Sequence, residues 1–169
     1  MRNDPPRWDA VRFFERLTET NKLARQHGFR FCRISGLTGM EEALATMQQT
    51  PAFVMVSDAP VGTMDTDNTP HQRRTVMVIL AMRHRLDDMQ ARAECLLTMQ
   101  ELFRQFMSAL IPERTRMQEN ALFIEPRVAL QVFNKYLTPG VTCYEFEVAT
   151  TAYVDLTYQE DEWYESEND

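Results

Sequence analysis

The sequence predicts an α+β fold: a mainly antiparallel β-sheet with two long helices packed on one face. Three observations carry this. Apolar residues recur at helical spacing over residues 8–24 and again over 89–110, strand-like runs occupy 52–56 and 74–82, and strict alternation marks the C-terminal part of the chain. The spacings lack the alternating strand–helix rhythm of a doubly wound sheet. A chain of 169 residues can hide about 70% of its unfolded surface, so residues 1–158 are read as a single domain that needs no disulfide or metal staple. Residues 159–169 (QEDEWYESEND) are read as a disordered acidic tail.

The first helix is expected to start at Asn3 or Asp4, where a short polar side chain precedes Pro5-Pro6. Trp8, Val11, Phe14, Leu17 and Leu23-Ala24 give it an apolar stripe, and Gly28 stops it. Phe29–Ile34 reads as a short strand. Thr38 and Glu41 match a capping box that opens a short helix ending before Pro51. Residues 52–56 (AFVMV) form a buried strand, and Asp58 to Gln72 reads as a long polar loop without periodicity. A loop of that length inside a compact domain is usually functional or disordered. Residues 74–82 (RTVMVILAM) pair antiparallel with 52–56. Asp87 or Asp88 then caps the longest helix, which Pro112 is expected to close, leaving 112–121 as a polar connector.

Val128, Leu130 and Val132 alternate with Ala129 and Gln131 in a further strand, and Pro139-Gly140 is a turn. The last strand is expected over about 143–157. Tyr144, Phe146, Val148, Ala152, Val154 and Leu156 face the core, while Glu145, Glu147, Thr151, Asp155 and Thr157 face water or a partner.

Charge and motif content narrow the function. The formal charge is −7, and six of the 25 acids lie in the tail, so the remaining 158 residues hold 18 bases against 19 acids. Residues 1–34 carry eight bases diluted by four acids, a poor version of the Lys/Arg cluster that duplex binding needs. Sequence-specific nucleic-acid binding is not expected, nor is a membrane span or a signal peptide. Three cysteines without CxxC spacing argue against a disulfide framework and a structural zinc site, and point to a reducing cytoplasm.

Phosphate loops, dinucleotide glycine patterns, HExxH and nucleophile elbows are all missing from the sequence. His27 reads as a helix-terminal residue. His71 lies near Asp65 and Asp67, and His71 and His84 could join Asp58 or Asp87 on a divalent metal, but no two of them stand at helical ligand spacing. Cys95 reads as an inert core thiol. Glu145 and Glu147, about 7 Å apart on one strand face, read as solvated rather than as an acid/base pair. The expectation is therefore no enzyme, no catalytic residue, no metal and no cofactor. A small-molecule-binding or metal-dependent α+β domain stands as the alternative.

The combination from Pro51 onward carries a resemblance. An apolar strand (AFVMV), a polar loop, an Arg-flanked strand (QRRTVMVILAMRH), one long amphipathic helix (DDMQARAECLLTMQELFRQFMSAL) and a terminal strand ending in YVDLTY resemble the tail terminator and tail completion proteins of long-tailed bacteriophages and prophages. The resemblance spans roughly residues 7–158 and lies in element order, size and texture. The short helix at 38–49 and the acidic tail depart from it.

This resemblance implies a virion-assembly subunit, made in the bacterial cytoplasm and carried in the virion. It would form a homo-oligomeric ring, usually hexameric, that caps the tail tube and joins it to neck proteins. Ring contacts need two different complementary surfaces. Asp58, Asp65 and Asp67 are the expected subunit-interface acids, facing Arg73 and Arg74 of a neighbour. Glu145, Glu147 and Asp155, or the acidic tail, are the expected channel-facing charges that keep DNA from sticking.

Overall fold

A computed structural model gives the fold and describes residues 7–35, 39, 41–43, 45, 49–57, 61–133 and 139–160. The elements run α1 (Ala10–Thr20), α2 (Lys22–Gln26), β1 (Phe29–Ile34), β2 (Ala52–Ser57), β3 (Val61–Asp65), β4 (His71–Arg83), α3 (Met89–Gln118), β5 (Leu122–Ile124), β6 (Ala129–Phe133) and β7 (Val141–Tyr153). The α+β expectation holds. The strands form one mixed sheet in the order β1-β2-β4-β7-β5, with β3 also on β4 and β6 also on β7. β1 and β2 are parallel, and every other pairing is antiparallel.

The spine is the β4–β7 pair, 13 residues on each strand, registered from His71 opposite Tyr153 to Arg83 opposite Val141. One edge of β4 carries β2 along Val78–Met82 and β3 along His71–Thr75, end to end. The outer edge of β7 carries β6 along Cys143–Glu147 and β5 along Thr150–Ala152.

The first helix begins at Ala10. Asp9 caps it by accepting a 2.9 Å bond from the Arg12 amide, while Asn3 and Asp4 lie outside the described residues. Nor is it one helix to Gly28: the chain leaves helical geometry at Asn21. The Asn21 amide oxygen accepts from Ala24 N at 2.9 Å and starts α2, and its Nδ2 donates to Gln105 of α3 at 2.8 Å. A short amide side chain that can bond the backbone competes with helix continuation, and here it wins. Gly28, at φ +70°, ends α2. Of the expected helix at 38–49, residues 39, 41–43 and 45 are helical, and Thr38, Met40, Leu44 and Met47 lie outside the described residues.

The polar stretch 58–72 is not wholly a loop. Val61–Asp65 is a strand that pairs with His71–Thr75, because its backbone groups find a ready ladder in the extended β4. Gly62 sits so close to β4 that an added Cβ would lie 2.5 Å from the Arg73 carbonyl oxygen.

Pro112 does not close the long helix, which starts at the Asp88 cap and runs 30 residues to Gln118. Proline removes one amide donor, but the turn that follows buries Glu113, which accepts from Trp8, and Met117, which joins the main core, and this packing outweighs local propensity. The supposed connector therefore supplies helix and then β5, whose three residues are too few to show periodicity. β7 stops at Tyr153 rather than 157. Opposite it β4 ends, and although Val154 N donates to Pro70 O at 3.0 Å, Pro70 has no amide with which to extend the ladder.

The main core lies between the helices and one sheet face. Phe14 of α1 meets Phe106 of α3 and Phe146 of β7 at ring-centroid distances of 5.9 and 5.8 Å, and Phe103 meets Phe146 at 5.0 Å. The alternation of the last strand predicts an opposite face that is wet or turned toward a partner. Around β1 and β2 it is not: Ile34, Phe53, Met55, Ile79, Ala81, Val141 and Cys143 form a second buried cluster with Ala43 packed on it. β2 is accordingly buried on both sides.

Candidate interaction surfaces

Of the residues expected at a subunit interface, Arg73 and Arg74 lie on the first half of β4 and Asp65 ends the neighbouring β3, but strand alternation divides them. Asp65 is registered opposite His71, and Arg73 points to the same face as Asp65, whereas Arg74 points to the helix face. Asp58 lies outside the described residues. Asp65 accepts from the Asp67 amide and Asp67 from the Asn68 amide, each at 3.0 Å, so both carboxylates stabilise their own turn.

Arg73 is held within its own chain. Its Nε and Nη2 donate to Glu125 Oε1 and Oε2 at 2.6 and 3.0 Å, and its Nη1 donates to Thr75 Oγ1 at 3.2 Å. This fork raises the Arg73 pKa and, through the hydrogen bond first and the charge second, holds the Glu125 carboxyl below its ordinary value. It also ties the residue after β5 across β7 to β4. Nothing in the pattern around Glu125 announces this role, since only the β5–β7 register brings it to Arg73.

Exposed apolar side chains mark the two edges of the sheet. All five residues of β3 are exposed, with Val61 at 78% and Met64 at 45%. Across the sheet, Phe123 on β5 and Leu130 on β6 are 51% and 53% exposed.

Glu145 and Glu147 share the face opposite the helices, as expected. Glu145 is half-buried, and desolvation first, then the Glu147 charge, raises its pKa. Asp155 is not with them: it lies beyond the strand, exposed, and accepts from the Thr157 amide at 2.9 Å.

The titratable groups weighed for chemistry do not converge. His71 Nδ1 lies 3.0 Å from Thr69 O, and His84 lies between Arg85 O and Thr142 Oγ1 at 2.9 and 3.0 Å. A carbonyl can only accept, so Nδ1 of each ring carries the proton. Among the described residues no group of three His, Cys, Asp or Glu side chains could hold a metal ion. Burial raises the pKa of Cys32 and Cys95 and pushes Cys143 up to about 11, which leaves all three as protonated thiols at neutral pH.

Two open grooves flank the start of α1. One, between α1 and the end of α3, holds a buried carboxylate: Glu113 accepts from Trp8 Nε1 at 3.0 Å and from Arg116 Nη2 and Nε at 2.6 and 3.0 Å. Arg116 first, with Trp8 and Arg16 assisting, holds the Glu113 pKa below its ordinary value against the opposing effect of burial. The other groove, about 660 Å³, gathers Arg7, Arg12, Arg33 and Arg74 over a floor that includes Trp8 and Val76. The base-rich first 34 residues were the sequence signal for it; the contribution of Arg74 was not legible.

No protein-family model matches the chain, and no curated protein matches it. Among the described residues no helix is long and apolar enough to cross a membrane.

Proposed function

We propose that the chain is a structural ring subunit of the tail-terminator kind, which caps a tail tube and joins it to neck proteins. Its place would be the bacterial cytoplasm during assembly and then the virion. It would carry no catalytic or cofactor chemistry.

One observation carries the reading. The sheet ends in two different exposed edges, with Val61 and Met64 of β3 on one side and Phe123 and Leu130 of β5 and β6 on the other. A head-to-tail ring needs two unlike surfaces on each subunit, and an uncovered strand edge with few charges is a template for pairing with another chain. The Glu145/Glu147 face supports a lumen that repels phosphate. Because Arg73 is paired with Glu125 inside the chain, it is not free to meet a neighbour's Asp65 or Asp67.

Light scattering coupled to chromatography across a concentration series tests the proposal. The expected result is a concentration-dependent hexamer that Val61→Asp and Met64→Asp together abolish, and that added tail tubes stabilise. A strict monomer at every concentration, with no effect on tube length when mixed with assembling tubes, would overturn it.

A further inference from the structure

We infer that the arginine groove beside α1 is the docking site of the chain's own acidic C-terminal segment, residues 161–169. This inference does not depend on the ring reading.

The groove is basic in its interactions as well as its composition. Among the described residues, the Arg7 and Arg12 side chains have no hydrogen-bond or ion-pair partner, and Arg74 donates only to the neutral Gln72 amide oxygen at 2.9 Å. Of the two acids on its rim, Asp9 is already engaged as the α1 cap. Guanidinium groups in that state favour carboxylates, which they can take in bidentate pairs. Trp8 and Val76 add an apolar floor.

The segment has matching chemistry. Asp161, Glu162, Glu165, Glu167 and Asp169 flank Trp163-Tyr164 without a single base. Aromatic rings against Trp8 and Val76, with carboxylates against Arg7, Arg12 and Arg74, would satisfy both partners. Reach favours the same chain over a second copy. β7 ends at Tyr153, three ladder positions from the Thr150–Arg74 pair, or about 10 Å along the sheet. Residues 161–169 extended span about 30 Å, and a tethered segment acts at millimolar effective concentration.

The test uses the full-length chain with Trp163→Phe, which leaves Trp8 as the sole tryptophan. Its acrylamide quenching is compared with that of the same chain carrying Asp161→Asn, Glu162→Gln, Glu165→Gln and Glu167→Gln. Neutralising the segment is expected to raise Trp8 quenching about twofold, and about 1 M salt to do the same in the parent but not in the neutralised chain. In an Arg7→Glu/Arg12→Glu background, where both replaced residues are exposed, neutralising the segment is expected to change nothing further. Equal quenching in parent and neutralised chains overturns the inference, as does an unchanged response in the charge-reversed background. Protection that rises with protein concentration assigns the segment to a second copy and overturns the same-chain docking.

Discussion

The same two strands pass through two environments. Along Val78–Met82 and Val141–Tyr144 the β4–β7 pair is buried on both sides, by the helices on one face and the Phe53–Ile79 cluster on the other. Along His71–Thr75 the flanking β3 is wholly exposed, and an Arg73–Glu125 ion pair occupies the open face. Tight burial concentrates folding free energy in the first half, while the second keeps apolar side chains outside where they can meet another surface. Buried and exposed functions of the backbone are thus separated along one continuous ladder, and on the proposed reading the exposed part is the interaction edge.

The sharpest way to break that comparison is to hollow out the buried half. Phe146→Ala removes a fully buried ring that contacts Phe14 and Phe103, and is expected to cost about 3–5 kcal/mol in chemical denaturation. A much smaller loss would show that the main core is loosely packed. Next comes Glu113→Gln, which removes the charge at the α1–α3 junction and should cost about 1–2 kcal/mol at neutral pH. Because the folded pKa of Glu113 is lowered, its stabilisation is present above the ordinary carboxylate pKa and is lost as pH falls through the depressed value. The wild-type and Glu113→Gln melting temperatures should therefore converge in acid.

Glu145→Gln should act in the opposite sense and more weakly. The pKa of Glu145 is raised, so its contribution to stability is present at low pH and is lost as pH climbs through the raised value. A small rise in Tm at pH 7 that disappears on acidification is expected, and a fall would refute the desolvation account. The smallest effect on folding belongs to the exposed arm: Val61→Asp should leave monomer stability within about 0.5 kcal/mol, while any oligomer detected by light scattering should weaken.

Much of this fold was legible because periodicity reports burial. The stripe around Phe106 and the alternation from Tyr144 to Val148 specify their elements without tertiary information. What escaped was decided by partners distant in sequence. β3 is a strand because β4 lies beside it, Pro112 is tolerated because the next turn is buried and held by Trp8, and Glu125 matters because β5 lands on β7. The candidate surfaces were read less completely for the same reason. Arg73 and Arg74 are adjacent in sequence, but the pleat sends them to opposite faces, one into an ion pair and the other into a groove.

Gly62 lies in a wholly exposed strand, yet the gap to the Arg73 carbonyl admits no methyl group. Substituting alanine there must pry β3 away from its neighbour and release several ladder bonds at once. In a saturation-mutagenesis screen this surface position would consequently show the intolerance normally confined to interior sites, while Thr63 beside it would accept nearly any replacement.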